Sequence, residues 1–351
     1  MIEQRRNKGW LGSCQRVILF SFTLLIACAP QPLELLRPST HLVWPASPLS
    51  PRIQYLGEIY SPQQMGFKKG FWEGVRDLLL GADDVSIVRP YGIEIDPKGR
   101  LWVLDPGSRR VHCFNLKEGR YQQLEAREEE SLRSPIDLAV DDRGTVYFTD
   151  AEAGKIMRYQ PDTRELRPLT PYRLDRPTGI AFSVSTGLLY VSDTANHEIV
   201  AVDRSGVERF RFGGRGSGPG QFNFPTDLWI SGGRVYVTDA LNSRVQIFSL
   251  EGVFVSAFGR AGDTPGSFAK PKGVATDSEG HIYVCDALFD AVQIFDDQGQ
   301  LLLTFGESGS GPGQFWMPSG IFIDDKDTIY VADTYNRRVQ VFRYLKDPEG
   351  I

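Results

Sequence analysis

The amino-acid sequence predicts an all-β fold, a six-bladed β-propeller closed into a ring. Three observations indicate this fold. Six similar segments follow one another at intervals of 42–48 residues, the segments contain short strand-like runs, and one further strand-like run stands alone before the first segment. A period of about 40–50 residues is typical of propellers, in which each repeat forms one blade. The six segments begin at Pro90, Pro135, Pro177, Pro225, Pro271 and Pro318.

Every segment has a second strand that ends in aspartate. In Val235–Asp239 and Ile329–Asp333, aromatic and β-branched residues follow one another, which is typical of a strand. The terminal aspartate is expected to accept backbone N–H groups of the following turn, as Asp side chains commonly do. We therefore assign these aspartates a structural role rather than a catalytic one. They are Asp105, Asp150, Asp193, Asp239, Asp286 and Asp333.

The last segment, which starts at Pro318, contains only three strand-like runs. Residues 52–59, Arg-Ile-Gln-Tyr-Leu-Gly-Glu-Ile, have an alternating pattern and belong to no repeat. We expect them to form the fourth strand of the last blade, because such closure covers the open edges of the ring. The propeller then spans residues 52–345 and leaves a short tail, residues 346–351.

The turns and loops of the later repeats carry a recognisable pattern. Asp333–Val339 and Asp239–Val245 resemble the turn signature of the NHL family. Gly216–Phe222 and Gly309–Phe315, both Gly-Ser-Gly-Pro-Gly-Gln-Phe, resemble its loop between blades. The resemblance covers residues 90–345 and implies an NHL-type six-bladed propeller. The first three repeats lack the Gly-Pro-Gly-Gln-Phe loop before them, so ligand rules of the family transfer least to that part.

The N-terminus has the pattern of a bacterial export signal. Residues 1–16 carry four basic residues and one acidic residue, and the uncharged run Val17–Ala27 follows directly. The sequence Leu-Ile-Ala-Cys, which ends at Cys28, resembles the lipobox of bacterial lipoproteins, in which the cysteine is lipidated. We therefore predict a signal peptide at residues 1–27 and lipidation at Cys28. A permanent transmembrane helix is the weaker interpretation, because it needs about 20 apolar residues.

The mature chain is expected to be an acidic protein of the cell envelope. Removal of residues 1–27 leaves 35 basic and 43 acidic residues, a net charge of −8, which disfavours nucleic-acid binding. Lipidation would attach the chain to a membrane on the extracytoplasmic side, in the periplasm, at the outer membrane or at the cell surface. Residues 28–51 contain six prolines and predict a semi-rigid tether of about 70 Å. Cys113 and Cys285 are expected to be two separate buried thiols.

The blade topology defines two faces of the ring. In a four-stranded blade, the turn between the second and third strands lies on the same side as the connections between blades; we call this side the inter-blade face. The other turns lie on the opposite face, where acidic pairs such as Asp141-Asp142 and Asp296-Asp297 concentrate. Because residues 52–59 begin at the opposite face, the tether is expected to leave the ring there. The inter-blade face would then look away from the membrane.

The inter-blade face carries aromatic and arginine side chains, which are favoured at binding hot spots. We predict that the chain is a binding or scaffold module and that this face binds an exported protein, a peptide or a cell-envelope ligand. Phe222 and Phe315 lie in loops of this face and have two interpretations, contact with a ligand or packing between blades. The predicted binding residues are Tyr91, Arg109, Asp137, Asp227, Lys272, Trp316, Tyr335 and Arg337.

Residues 61–89 interrupt the repeats between the closing strand and the first blade. Within residues 66–80, large apolar residues recur at helical spacing, which predicts a short amphipathic helix on the inter-blade face. Three roles are open for this helix: a lid over the ligand, a part of the site, or packing on the ring. Its apolar residues are Phe67, Phe71, Trp72, Val75, Leu78 and Leu79.

The alternative function is that of a calcium-dependent enzyme. Six-bladed propellers of similar outline include lactonases and lyases that hold a metal in the central channel. In the cores of the inner strands Glu94 is the only ionisable residue, while Asp137 and Asp227 replace the usual glycine of the Pro-x-Gly pattern. These three carboxylates would supply oxygen ligands to calcium. The four histidines are scattered and do not converge on a zinc site. We therefore predict no catalytic residue and no cofactor, with calcium as the alternative.

Overall fold

A computed structural model describes residues 36, 41–67, 85–124 and 132–346 of the chain. It confirms the predicted fold, a six-bladed β-propeller. Five blades are four-stranded antiparallel sheets, and the sixth has five strands. Helical structure within the described residues is limited to two short 3-10 helices, Thr194–Asn196 and Ala240–Asn242.

The strands follow the blades in chain order. Two strands precede blade 1, and two very short ones lie between blades 5 and 6. The strands before blade 1 are β1 (Val43–Trp44) and β2 (Ile53–Ile59). Blade 1 contains β3 (Ile93–Ile95), β4 (Arg100–Asp105), β5 (Arg110–Asn115) and β6 (Arg120–Leu124). Blade 2 contains β7 (Pro135–Val140), β8 (Val146–Asp150), β9 (Lys155–Gln160) and β10 (Glu165–Pro168). Blade 3 contains β11 (Pro177–Ser183), β12 (Leu188–Asp193), β13 (Glu198–Asp203) and β14 (Glu208–Gly213); blade 4 contains β15 (Pro225–Ser231), β16 (Arg234–Asp239), β17 (Arg244–Ser249) and β18 (Phe254–Phe258). The remaining strands are β19 (Pro271–Thr276), β20 (Ile282–Asp286), β21 (Ala291–Phe295) and β22 (Leu301–Phe305) in blade 5, the short β23 (Glu307–Ser308) and β24 (Gln314–Phe315), and β25 (Pro318–Ile323), β26 (Thr328–Asp333) and β27 (Arg338–Tyr344) in blade 6.

The second strand of each blade lies inside its sheet, with the neighbouring blades packed on both sides. Every residue of β8, β20 and β26 is buried for this reason. The outer strand is more open, and in β14 partly buried residues alternate with exposed ones. The side chains that are free to meet a ligand therefore come from the loops, the outer strands and the inner strands that line the channel.

Phenylalanine residues fill the space between blades 3 and 4, 4 and 5, and 5 and 6. At each boundary a phenylalanine of the outer strand packs against one of the third strand in the next blade, at 4.9–5.0 Å between ring centroids. A third phenylalanine comes from the loop between the blades, and Phe222 and Phe315 in these loops are fully buried. They therefore pack between blades, and their interpretation as ligand contacts is wrong. The trios are Phe212, Phe222 and Phe248; Phe258, Phe268 and Phe295; and Phe305, Phe315 and Phe342.

The N-terminal strand closes the ring as predicted. β2 pairs antiparallel with β27, from Ile53 opposite Tyr344 to Ile59 opposite Val339. Its residues alternate between buried and half-buried, as the sequence pattern indicates. The last blade is therefore assembled from the two ends of the propeller sequence, and the ring has no open edge between its first and last blades.

The last part of the predicted tether lies on the ring. β1 pairs with the outer edge of β2, and the Trp44 ring lies 5.9 Å from the rings of both Phe305 and Phe342. Leu36 is buried beside Gly57 of β2. The expectation that the tether leaves from the opposite face falls on residues before Leu36, which lie outside the described residues, and it stays a prediction. A two-residue strand has no periodicity to detect; it forms because the edge of β2 offers unpaired backbone groups.

Several predicted features lie outside the described residues. These are the signal peptide with Cys28, most of the predicted helix, and the tail beyond residue 346. At the start of the interruption, residues 61–67 form a turn whose Met65 is buried beside the first blade. No helix in the described ranges is long and apolar enough to cross a membrane. Cys113 and Cys285 are buried free thiols.

Candidate functional site

The inner strands approach one another most closely near the inter-blade face, at what we call the neck of the channel. The third residue of each Pro-x-[Gly/Asp] pattern lies at this level, and four of the six are glycine. A Cβ atom added to Gly320 would lie 1.9 Å from the carbonyl oxygen of Tyr91 in the next blade. At such positions the backbones of neighbouring blades are in contact, so there is little space for a side chain. The six residues are Gly92, Asp137, Gly179, Asp227, Gly273 and Gly320.

Asp137 and Asp227 fit at the neck because a glycine precedes each of them around the ring. A Cβ atom added to Gly92 would lie 2.7 Å from Oδ1 of Asp137, and one added to Gly179 would lie 2.7 Å from the Cα atom of Asp227. The carboxylate of each aspartate also accepts a backbone N–H group of the blade that follows. Oδ2 of Asp137, for example, accepts the backbone N–H of Ile180 at 3.0 Å. Close packing therefore allows a carboxyl group only where the preceding blade contributes glycine.

The carboxyl groups of Asp137 and Asp227 lie close enough at the neck for each to influence the pKa of the other. Burial raises the pKa of Asp227 to about 7. Burial, and then the nearby charge of Asp227, raises the pKa of Asp137 well above its ordinary range. Burial likewise raises the pKa of Glu94, which lines the same part of the channel. At neutral pH the pair therefore keeps a proton and does not carry two full charges.

The neck and the channel beneath it enclose a cavity of about 130 Å³. Glu94, Asp137 and Asp227, the alternative calcium ligands, all line it, together with apolar side chains such as Leu138 and Trp229. Calcium in proteins takes about six to eight oxygen ligands. Within the ranges that the structure describes, no three or more His, Cys, Asp or Glu side chains are grouped so that they could hold a metal ion. The three carboxyl groups thus share a cavity but form no coordination shell together.

A second cavity, of about 260 Å³, opens to the inter-blade face; we call it the channel mouth. Nζ of Lys272 lies 5.9 Å from the centre of the Tyr91 ring, and the Arg89 guanidinium carbon lies 5.4 Å from that of Tyr335. Both are cation–π distances. The ring of Trp316, beside the mouth, lies 5.4 Å from the Tyr335 ring. Two cationic side chains are therefore paired with aromatic rings at this opening.

Six of the eight predicted binding residues meet around the neck and the mouth, and two do not. Arg109 and Arg337 are exposed on turns of the same face and line neither cavity. Their φ angles of 56° and 59° are left-handed, so they serve the tight turns between second and third strands. The residues that meet are Tyr91, Asp137, Asp227, Lys272, Trp316 and Tyr335.

Two cations of the mouth, Arg89 and Lys270, are absent from the sequence prediction. Each stands directly before the proline that begins a blade. Arg176 holds the equivalent place before blade 3, and its charge acts on Lys272. The signal that would reveal them is the repeat register itself, because residues that flank the proline line the mouth in blades 1, 2, 5 and 6.

The cations at the mouth repel one another. Burial lowers the pKa of Lys272, and the positive charges of Lys270 and Arg176 lower it further. Burial near the neck carboxyl groups raises the pKa of Tyr91, so its hydroxyl stays protonated and remains a hydrogen-bond donor. Among the described residues, no carboxylate forms an ion pair with the side chain of Arg89 or of the three cations just named.

Replacement of Asp137 by asparagine is expected to flatten the dependence of thermal stability on pH. Burial raises the folded pKa of the Asp137 carboxyl group, so its contribution stabilises the folded state at low pH and is lost as the pH rises above about 4, the ordinary pKa of the group in the unfolded chain. The new amide would donate to Asp227 and still accept the Ile180 N–H, so the repulsion within the pair disappears. The difference in Tm between about pH 5 and about pH 8, followed by circular dichroism, should shrink.

Asp297→Asn is the control for this measurement, because Asp297 is exposed on the opposite face. It should leave the pH dependence as it is in the unmodified chain. The same Tm difference in all three proteins would mean that the pKa of the Asp137 carboxyl group is not raised in the folded protein.

Comparisons with known proteins agree with this architecture. A family model described as an NHL repeat matches residues 174–202, in blade 3, and one described as a 6-bladed beta-propeller matches residues 230–288 and 275–345. The gluconolactonase of Zymomonas mobilis is 27% identical over 138 residues, which are 34% of this chain and 39% of that protein. The chain thus matches about two fifths of this curated relative's length.

Solved structures share the fold at low sequence identity. A gluconolactonase from Xanthomonas campestris is 16% identical, with a TM-score of 0.59 over 74% of this chain and 87% of the other. The virginiamycin B lyase of Staphylococcus aureus is 17% identical, with a TM-score of 0.55 over 74% and 96%. An auxiliary nutrient binding protein from Bacteroides ovatus is 14% identical, with a TM-score of 0.59 over 75% and 71%. Two of these are described as enzymes and one as a binding protein, so the likeness shows the fold alone.

Proposed function

We propose that this six-bladed NHL-repeat β-propeller is a binding module whose inter-blade face takes an exported protein, a peptide or a cell-envelope ligand. The observation that carries the proposal is the exposed pair Trp316 and Tyr335 at the rim of the channel mouth, beside the Arg89 guanidinium. Tryptophan, tyrosine and arginine are the residue types most enriched at binding hot spots. A concave opening next to such residues is a usual form of binding site.

Packing of the blades does not account for Trp316. Phe315 before it is fully buried, whereas Trp316 is 54% exposed. The residues that follow the equivalent loop phenylalanines are Asn223 and Ala269, so the repeat itself does not require a large aromatic residue here. The backbone of Trp316 is nevertheless fixed, since its N–H donates to the Asp333 carboxylate at 2.8 Å. A fixed aromatic side chain outside the core supports a role in binding.

Large apolar residues extend this surface over three consecutive blades. The turns between second and third strands carry Leu241, Leu288 and Tyr335, which are 64%, 58% and 43% exposed. All three are the second residue after the strand-end aspartate. Together with Trp316 they form what we call the apolar arc. Exposed apolar residues that recur on one face support an interaction surface there.

The proposed location is the cell envelope. The sequence before Cys28 supports lipidation and attachment to a membrane through acyl chains. The net negative charge of the mature chain argues against nucleic acid as the ligand.

Trp316→Ala combined with Tyr335→Ala is expected to weaken ligand retention at least about thirtyfold. Truncation of a hot-spot residue costs about 2 kcal/mol or more, which corresponds to that factor in affinity. The chain from residue 28, with Cys28→Ser, would be immobilised and exposed to a cell-envelope extract. Mass spectrometry would quantify what the unmodified and substituted chains retain.

Val184→Ala combined with Val253→Ala is the matched control. Both valines are exposed, by 68% and 63%, and both lie in turns of the opposite face. This variant should retain the same molecules as the unmodified chain, and thermal unfolding would establish that both variants are folded. Equal retention by the two double variants would contradict a binding role for the inter-blade face.

A calcium-dependent enzyme of the lactonase or lyase type is the second candidate function. The observation that favours it is the single cavity shared by Glu94, Asp137 and Asp227 in the channel of a fold that known lactonases and lyases also have. A calorimetric calcium titration separates the two functions. Specific binding that is lost in both Asp137→Asn and Asp227→Asn would favour the enzyme.

A further inference from the structure

Cationic side chains line the channel mouth from two blades, and a third blade places one more nearby. Arg89 lines the mouth at the entry to blade 1, and Lys270 and Lys272 line it at the entry to blade 5. Arg176, at the entry to blade 3, does not line the mouth but lies close enough for its charge to act on Lys272. A ligand in the mouth would therefore meet positive charge from blades 1 and 5. The residues equivalent to Arg89, Arg176 and Lys270 in blades 2, 4 and 6 are uncharged: Ser134, Phe224 and Met317.

The strand-end aspartates fix the backbone of these residues and leave their side chains available. The Asp105 carboxylate accepts the backbone N–H of Arg89 at 2.9 Å, and the Asp286 carboxylate accepts that of Lys270 at 2.9 Å. These carboxylates are buried in the turns, and neither forms an ion pair with the cationic side chain beside it in the described structure. The backbone that carries these cationic side chains is therefore fixed before a ligand arrives, so no entropy of backbone ordering is lost on binding.

The mouth is a positive region on a protein whose formal net charge is −5. Its charges are mutually unfavourable, since Lys270 and Arg176 both lower the pKa of Lys272. A bound anion would relieve this repulsion. The protonated hydroxyl of Tyr91, which lines both the mouth and the neck, would add a hydrogen-bond donor. The chemistry of the opening is thus complementary to an oxyanion.

The size of the mouth and the surface around it favour a peptide as the source of that oxyanion. A volume of about 260 Å³ lies below the range of about 300–1,000 Å³ usual for whole small-molecule ligands, so it suits a single side chain or a chain terminus. The apolar arc begins beside the mouth at Tyr335 and Trp316 and continues over blades 5 and 4. It offers contacts to the residues on either side of an acidic group in an extended segment.

We infer that the channel mouth binds a carboxylate and that the ligand of the inter-blade face is an acidic peptide segment with apolar residues beside its acidic ones. This inference rests on the proposed binding function and specifies its ligand. Lys270 and Lys272 are the main contacts of the carboxylate, Arg89 and Arg176 add charge from the other blades, and Trp316 with Tyr335 binds the adjoining apolar residue.

The experiment selects from an immobilised library of random octapeptides. The unmodified chain is expected to retain peptides enriched in Asp and Glu relative to the starting library. For the most enriched peptide, measured by fluorescence anisotropy, Lys270→Gln combined with Lys272→Gln should lower the affinity about tenfold or more, and added salt should lower it as well. Replacement of the acidic residues of this peptide by Asn and Gln should abolish binding.

Two controls make the charge effect specific. Lys98→Gln combined with Lys117→Gln removes the same charge from exposed lysines of the opposite face and should leave the affinity unchanged. Arg176→Gln alters one exposed residue and should weaken binding even if the double lysine variant folds poorly. Inorganic phosphate and a short oligothymidylate serve as competitors. Competition by either of them that is stronger than by the acidic peptide would assign the mouth to a phosphate ligand and overturn the inference.

Failure of the inference and failure of the proposed function give different results. No enrichment of acidic peptides, or the same loss of affinity in both double lysine variants, overturns the carboxylate inference. If retention from the envelope extract still depends on Trp316 and Tyr335, the proposed binding function stands with a ligand of another class. If retention does not depend on Trp316 and Tyr335, both the proposed binding function and the carboxylate inference are wrong.

Discussion

A chain that begins at residue 60 is expected to lose the cooperative unfolding transition that a chain beginning at residue 50 keeps. Both truncations remove β1, and only the shorter chain also lacks β2. Three side chains of β2, Ile53, Tyr55 and Ile59, are at most 3% exposed. Burial of each is worth about 1.5–3 kcal/mol, so their combined loss is comparable to the whole stability of a typical domain, about 5–15 kcal/mol.

Loss of β2 would also leave β27 as an open edge. The antiparallel ladder from Ile53–Tyr344 to Ile59–Val339 would be broken along its whole length, and unpaired edges promote aggregation. Urea and thermal unfolding, followed by circular dichroism, would compare the two truncations with the mature chain. Removal of β1 alone should lower Tm modestly, because it costs the packing of Trp44 and Leu42. Equal melting of both truncations would mean that the ring is stable without its closing strand.

Much of the fold could be predicted because each blade repeats the same local signals. Pro135, Pro177, Pro225, Pro271 and Pro318 are the first residues of their inner strands, as the spacing indicates. β1 could not be predicted, because two residues carry no periodic pattern. Its position depends on the free edge of β2 and on aromatic packing, both of which exist only in the folded ring.

The residues that form the neck could be identified from the sequence more completely than those that line the mouth. Asp137 and Asp227 stand out because they interrupt a glycine pattern that close backbone approach explains. Arg89 and Lys270 precede proline and give no local sign of a site, since only the ring arranges them around one opening. The position of a loop residue is even harder to predict from the sequence. Phe315 and Trp316 are neighbours in sequence, yet blade spacing buries one and leaves the other exposed.

Arg338→Ala is expected to cost about 3–5 kcal/mol in free energy of unfolding, because it leaves buried charged and polar groups unpaired. The Arg338 guanidinium donates to the buried Asp333 carboxylate at 2.8 Å and to the Glu58 carboxylate of β2 at 2.6 Å. It also donates to the carbonyl oxygens of Gly311 and Gln314, each at 2.8 Å. One side chain thus connects the inter-blade loop, the turn and the closing strand of blade 6.

Arg244→Ala is the matched variant, since Arg244 occupies the same place in blade 4. It donates to the Asp239 carboxylate and to three loop carbonyl groups, but no carboxylate of an outer strand pairs with it in the described structure. Urea unfolding should therefore show a larger loss for Arg338→Ala than for Arg244→Ala. Glu58→Gln should account for part of the difference, because it weakens only the contact with the closing strand. If the two arginine variants lose equal stability, the Arg338–Glu58 ion pair adds nothing to closure, and the ladder between β2 and β27 with its apolar residues is sufficient.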